Sequence, residues 1–184
     1  MQGGFKVWEA TADLIQWIDD HPSDVRDKSV LDLGCGSGLV GVACLQAGAS
    51  QVTFHDFNQS VIDFFTKANV TLNLSPSADA VLPSNAVFAS GNWDAFTPST
   101  QFDVILSSET VYQEQNFESI LNLIKRSLCP DGKALVAAKT YYFGVGGGSR
   151  SFEEFLARDS SLRAQVVRLI PAPVPREILQ LSFP

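Results

Sequence analysis

The sequence predicts an α/β fold, a mostly parallel sheet with helices on both faces and an antiparallel C-terminal edge. Three observations lead there. Short apolar β-rich runs alternate with segments of helical period along most of the chain, the pattern of a parallel sheet covered on both sides. The last two β-rich runs are joined only by Pro171–Pro175, which is too short for a helical crossover and so implies an antiparallel pair. The run Ser29–Gly34 passes directly into a glycine-rich turn and then a helix, the arrangement that presents backbone to a ligand at a strand end.

The elements follow in order. Ala10–Asp20 places Leu14, Trp17 and Ile18 on one face and reads as an amphipathic helix. Ser29–Gly34 is a buried strand, Gly38–Gly48 a helix with a glycine stop, and Gln51–Asp56 a second strand. Asn58–Asn73 is a second long helix with Asn58 at its N-cap. A Pro/Ser loop, Ser75–Asn85, leads to the third strand, Ala86–Ser90. Phe102–Ser108 is the fourth strand and Phe117–Leu128 a helix. Cys129–Gly132 reads as a turn, Lys133–Lys139 as the fifth strand and Ser151–Asp159 as a helix. Ala164–Ile170 and Arg176–Phe183 close the sheet.

Composition narrows the function. The 184 residues fit a single domain, 1–184. With 45% hydrophobic and 18% charged residues, the chain is expected to be folded. No apolar run approaches the length of a membrane span, so no membrane partner is expected. The first residues start directly on structured sequence without a signal-peptide pattern, as a catalytic core taken from a longer protein would. Cys35, Cys44 and Cys129 lack metal or disulfide spacing, which predicts no metal and a reducing compartment. A net charge of −7 favours basic partners and disfavours direct nucleic-acid binding.

Chemistry in such a sheet is expected beyond the carboxyl ends of the strands. There the first strand meets Gly34-Cys35-Gly36-Ser37-Gly38, and the second ends in Asp56, 22 residues after Gly34. A carboxylate at that place can accept both hydroxyls of a ribose. The dinucleotide pattern GxGxxG fails, because its third glycine falls at Leu39; the pattern present is GxGxG preceded by Asp32.

DLGCGSG, together with Asp56 and the strand order, resembles the class I S-adenosylmethionine-dependent methyltransferases, with their Rossmann-like seven-strand fold. The resemblance covers nearly the whole chain. It implies S-adenosyl-L-methionine as cofactor, with Gly34, Gly36 and Gly38 along its methionine and ribose, Asp32 near the methionine amino group and Asp56 on the ribose. It also places Asp94 near the adenine amino group, Trp93 stacked on adenine and Ser107 at the cofactor.

The fourth strand ends in SSETVY, Ser107 to Tyr112, not in the Asn/Asp-Pro-Pro-Tyr of enzymes that methylate base amino groups. ETVY is similar to the Asp/Glu-x-x-Tyr/Phe signature of the protein-modifying branch, which mostly methylates lysine. In that branch Trp8 and Glu9 of KVWE fold over the methionine end of the cofactor. GGFKVWE, SSETVY and the run Tyr141-Tyr142-Phe143-Gly144-Val145-Gly146-Gly147-Gly148 together resemble a narrower family. These are the protein-histidine N-methyltransferases that modify a large-subunit ribosomal protein. The resemblance implies a basic ribosomal protein substrate, a monomer, and residence in cytoplasm and nucleus.

Imidazole, with a pKa of about 6.5, is largely neutral at pH 7, so the enzyme need only fix its tautomer. Glu109 is the candidate acceptor for one ring N–H and for the proton shed after transfer. Tyr112 and Tyr141 are candidate aromatic walls, and the glycine run is expected to let the substrate chain pass close to backbone amides. Two alternatives stand beside this reading: a protein-lysine N-methyltransferase of the same branch, and a non-catalytic S-adenosylmethionine-binding partner protein. His21 and His55 read as structural or solvated.

Overall fold

The computed structural model describes residues 3–75 and 81–184. The middle of the expected Ser75–Asn85 loop lies outside the described residues. Seven strands form one sheet: β1 (Ser29–Leu33), β2 (Gln51–Asp56), β3 (Ala86–Ser90), β4 (Phe102–Ser108), β5 (Leu128–Lys139), β6 (Arg163–Ile170) and β7 (Arg176–Ser182). Their order across the sheet is β3-β2-β1-β4-β5-β7-β6. The first five run parallel, and β7 runs antiparallel between β5 and β6. The helices are α1 (Glu9–Asp20), α2 (Leu39–Gln46), α3 (Gln59–Val61), α4 (Lys67–Leu74), α5 (Phe117–Ser127) and α6 (Ser149–Asp159).

Alternation along the central strands sends side chains to two cores. Val30, Val104, Leu106, Val52 and Phe54 pack with Leu14, Trp17 and Ile18 of α1 and with Val40 and Cys44 of α2. Leu31, Leu33 and Ile105 face the other side, against Phe117, Ile120, Leu121 and Ile124 of α5 and Phe152 and Leu156 of α6. The apolar positions of α5 recur at helical spacing, so one stripe of it is buried. α2 has no side chain at Gly41; a Cβ there would meet the Phe54 ring at 2.3 Å, so the helix seats flush on β2.

Two local expectations are corrected. The Cys129–Gly132 turn lies inside β5. Phe102 pairs with Leu128 and Val104 with Lys133, so the segment bulges out of the ladder instead of ending it. The helix expected over Asn58–Asn73 is interrupted by a π-helical segment, Ile62–Thr66. Asn58 stands at the N-cap position, yet its side chain makes no capping bond there. The π segment has a structural reason. The Thr66 hydroxyl bonds both Val61 O (3.2 Å) and Gly36 O (2.7 Å), tying the widened turn to the glycine loop after β1.

Register brings the strand ends level. Leu33 pairs with His55 on one side and with Ser107 on the other, and Asp56 pairs with Ser90. The glycine turn, Asp56, the segment after β3 and Glu109 therefore share one edge of the sheet. The strand order reverses between β1 and β4, the place where ligands bind in open α/β sheets.

Candidate active site at the carboxyl ends of the strands

The glycine turn is held from below and from both flanks. Gly34, Gly36 and Gly38 all have positive φ (69°, 50° and 73°), a region that side-chain-bearing residues enter at a cost. At Gly34 a Cβ would also lie 2.6 Å from Thr110 Cγ2, so the post-β4 segment presses directly on the turn. Asp56 Oδ2 accepts the Gly36 N–H at 3.1 Å and Oδ1 the Asn58 N–H at 3.0 Å. Asn69 of α4 donates to Ser37 O at 2.9 Å. Asp32, 2% exposed, accepts the Gly41 N–H at 2.9 Å. Burial, opposed by that bond, raises its pKa to about 7.

The N-terminal segment lies over this turn. Its short 3-10 turn, Gly3–Phe5, sets Gly4 O 3.2 Å from where a Gly36 Cβ would stand. A Cβ on Gly4 itself would come 2.8 Å from Val61 Cγ2 and 3.6 Å from Asp56 Oδ1. Trp8 donates its indole N–H to Gly3 O at 3.1 Å and so fixes the segment.

Glu109 follows β4 in the left-handed region, φ 59°, a conformation that costs about 1 kcal/mol or more for a non-glycine residue and persists where its surroundings over-determine it. Here they do. Its N–H donates to Ala137 O at 2.9 Å, its Oε1 accepts the Ala10 N–H at 3.1 Å, and its Oε2 accepts the Tyr142 hydroxyl. Glu109 is thus an acceptor for the N-terminus of α1 as well as a candidate for chemistry. Burial pushes its carboxyl pKa up, against the Tyr142 and Ala10 bonds. Burial and the Glu109 carboxylate push the Tyr142 phenol up in turn.

The glycine run is used internally. The Gly147 N–H donates to Tyr112 O (3.2 Å) and the Gly148 N–H to Val111 O (2.9 Å), while Gln113 bridges Gly146. A Cβ at Gly147 would stand 2.3 Å from the Tyr112 backbone. This corrects the expectation for those two amides: the backbone they approach is the chain's own. Of the loop's aromatic residues Tyr141 and Phe143 are exposed, edge-on to each other at 4.9 Å, while Tyr142 packs on the α5-side core with Tyr112 edge-on to it at 6.3 Å.

The structure thus brings Gly34, Gly36, Gly38, Asp56, Trp8, Glu109, Tyr112 and Tyr141 to one edge. Asp32 points its carboxylate under the turn. Ser107 is fully buried, donating to Leu33 O (3.1 Å) and exchanging a bond with Thr110. Trp93 packs against the α5-side core, and Asp94 is exposed beside it. Sequence reasoning missed Thr66, Asn69, Thr110 and Lys139. Thr110 lies within SSETVY and Lys139 at the end of β5, so the strand-end rule reaches both; Thr66 and Asn69 carry no local signal.

The acceptors at the turn fit a nucleoside-bearing cofactor. The space left by the turn's missing side chains is taken by Thr110, Gly4 O and Thr66, which fix its shape, and the Asp56 oxygens, each with one internal bond, retain lone pairs for hydroxyls.

Residues 2–156 match the family described as "Lysine methyltransferase". The chain is 42% identical to a histidine protein methyltransferase 1 homolog from Dictyostelium discoideum, over 91% of this chain and 53% of that protein. It is 31% identical to the Bos taurus protein of the same description, over 99% of this chain and 56% of that protein. It spans about half the length of these curated relatives. The N-methyltransferase NodS of Bradyrhizobium japonicum superposes with a TM-score of 0.72 at 15% identity, covering 94% of this chain and 86% of that one; this likeness speaks for the fold. S-adenosyl-L-methionine, the cofactor expected from the sequence, accords with this kinship and with the Asp56 carboxylate at the glycine turn. With the glycine turn, Asp56 and the ETVY segment gathered at one edge of such a sheet, and with histidine protein methyltransferase 1 homologues among its relatives, the chain belongs to the lysine methyltransferase family.

Proposed function

We propose that this chain transfers the methyl group of S-adenosyl-L-methionine to a ring nitrogen of a protein histidine, in a basic protein of the large ribosomal subunit. The observation that carries the chemistry is Glu109, a buried carboxylate just beyond the end of β4, where the strand order reverses, next to the Thr110 that presses on the glycine turn. When bound, the cofactor supplies an electrophilic methyl group on a sulfonium. The protein's part is alignment and proton handling. Asp56 and the glycine turn hold the nucleoside end. Glu109 uses its remaining lone pairs to accept one imidazole N–H, which leaves the other nitrogen as the nucleophile. Once that nitrogen carries the methyl group the ring is cationic, and Glu109, whose pKa burial has raised, takes up the N–H proton. Tyr142 steadies the carboxylate, and Tyr112 and Tyr141 wall the ring. The enzyme acts as a monomer in cytoplasm and nucleus, without direct nucleic-acid or membrane binding.

The test supplies this chain with isotopically labelled S-adenosyl-L-methionine and large ribosomal subunits lacking the modification, and maps label by mass spectrometry. Label on histidine is expected. Label on lysine would transfer the reading to a lysine methyltransferase, and bound cofactor without label would favour a non-catalytic binding protein.

A further inference from the structure

The mouth of the site is dense with charge, and its charges are matched. Lys6 Nζ stands 4.1 Å above the Trp8 ring, beside Glu9. Lys139, at the end of β5, puts its ammonium 3.2 Å from the Glu9 carboxylate. The same ammonium lies 5.9 Å from the Trp8 ring centre and 5.8 Å from that of Tyr142. Arg176, at the start of β7, holds Asp13 of α1, with Nη2 to Oδ1 at 3.1 Å. Glu109 feels Lys139 and Arg176 and receives the Tyr142 hydroxyl and the Ala10 N–H. The carboxylates Glu9, Asp13 and Glu109 thus already share the cations Lys6, Lys139 and Arg176.

Histidine and lysine make opposite demands on such a site. At neutral pH a lysine arrives as an ammonium, which needs a carboxylate or an aromatic face to leave water and must lose a proton before it can attack. An imidazole arrives neutral and needs only a hydrogen-bond acceptor. The ammonium of Lys139 holds the carboxylate and the two aromatic rings that an incoming ammonium would use.

We propose that Lys139 is a specificity-determining residue, a resident ammonium that occupies the counter-charge and aromatic contacts of the mouth and so admits a neutral ring nitrogen in preference to a lysine side chain. The inference rests on the histidine reading above and deepens it. Glu9 tunes the effect: with Glu9 neutral, the uncompensated Lys139 repels a second ammonium more strongly.

The test needs no turnover. Wild type, Lys139→Met, Lys139→Arg and Glu9→Gln, each saturated with S-adenosylhomocysteine, are titrated at pH 8.5, where 4-methylimidazole is mostly neutral and n-butylammonium still charged, with each of these two probes. Binding is read by saturation-transfer NMR, and folding by thermal melt. Lys139→Met is expected to bind n-butylammonium at least tenfold more tightly than wild type, with little change for 4-methylimidazole. Lys139→Arg should behave as wild type, and Glu9→Gln should bind the ammonium more weakly still. Should Lys139→Met fail to fold, Lys139→Gln, which keeps a polar end and loses only the charge, carries the test. Equal affinity of wild type and Lys139→Met for n-butylammonium, or stronger ammonium binding by Glu9→Gln, overturns the proposal. Because only binding is read, that result is separate from whether label reaches histidine.

Discussion

Asp56 and Glu109 are both buried carboxylates raised by desolvation, yet their partners differ, and so do the expected effects of changing them. Asp56→Ala removes the acceptor for the Gly36 and Asn58 amides and, on the proposed reading, for a ribose. S-adenosylmethionine affinity measured by calorimetry is expected to fall at least tenfold, and unchanged affinity would remove the ribose role. Glu109→Gln keeps the shape and one acceptor but gives up proton uptake. Turnover is expected to fall by about 10²-fold or more with cofactor affinity within a factor of a few; equal turnover would mean that Glu109 only anchors α1. Asp32 and His55 make opposing contributions to stability. The raised pKa of Asp32, about 7, means that the folded protein favours its neutral form, so its contribution is full at acid pH and is lost as pH rises from about 4 to 7. Burial lowers His55 to about 4, so its contribution is full above about 6.5 and is lost as pH falls towards 4. Asp32→Asn keeps an acceptor for Gly41 and removes the first of these. Denaturant unfolding should show its stability rising relative to wild type between pH 4 and 7, by at most about 4 kcal/mol; a falling difference would show that the fold favours the carboxylate. Sequence spacing identified which residues stand at strand ends. It did not give side-chain direction, so the internal bonds of Asp32 to Gly41 and of Ser107 to Leu33 were not legible in it.

Among the elements, the loop Gly144–Gly148 separates two uses of glycine. Gly144 has open space around it but a φ of 77°, so Gly144→Ala pays only for backbone strain, about 1–2 kcal/mol. At Gly147 a Cβ would collide with the Tyr112 main chain, which no rotamer change relieves. Gly147→Ala is therefore expected to cost more in denaturant unfolding than Gly144→Ala and to detach the loop, with faster hydrogen exchange at the Gly147 and Gly148 amides and cofactor affinity retained. An equal cost in both variants would show that the loop does not dock. The glycine run was conspicuous in the sequence, but its partner was not, because Val111 and Tyr112 contribute carbonyls, which every residue has. The π segment was equally hidden: a helix of uniform period gives no sign that Thr66 must reach Gly36.

For the molecule as a whole, alternation of strands and helices predicted the class, and the short Pro171–Pro175 link predicted the antiparallel edge. The β5 bulge escaped because Cys129–Gly132 has turn chemistry in or out of a ladder. The net charge of −7 bears on encounter more than on fold. KM for a basic protein substrate is expected to rise severalfold between low and physiological salt while cofactor affinity hardly moves; a salt-independent KM would remove charge attraction from substrate capture.

The bond from Ala10 N–H to Glu109 joins residues 99 positions apart, and Tyr142 completes it from later still. A ribosome releases α1 long before its anchor. During synthesis the first turn of α1 must remain solvated until β4 has emerged, and Glu109 gains its phenolic partner only after β5. Assembly of this edge thus waits on β4 and β5 both, and a nascent chain stalled before residue 142 carries a helix without its lock.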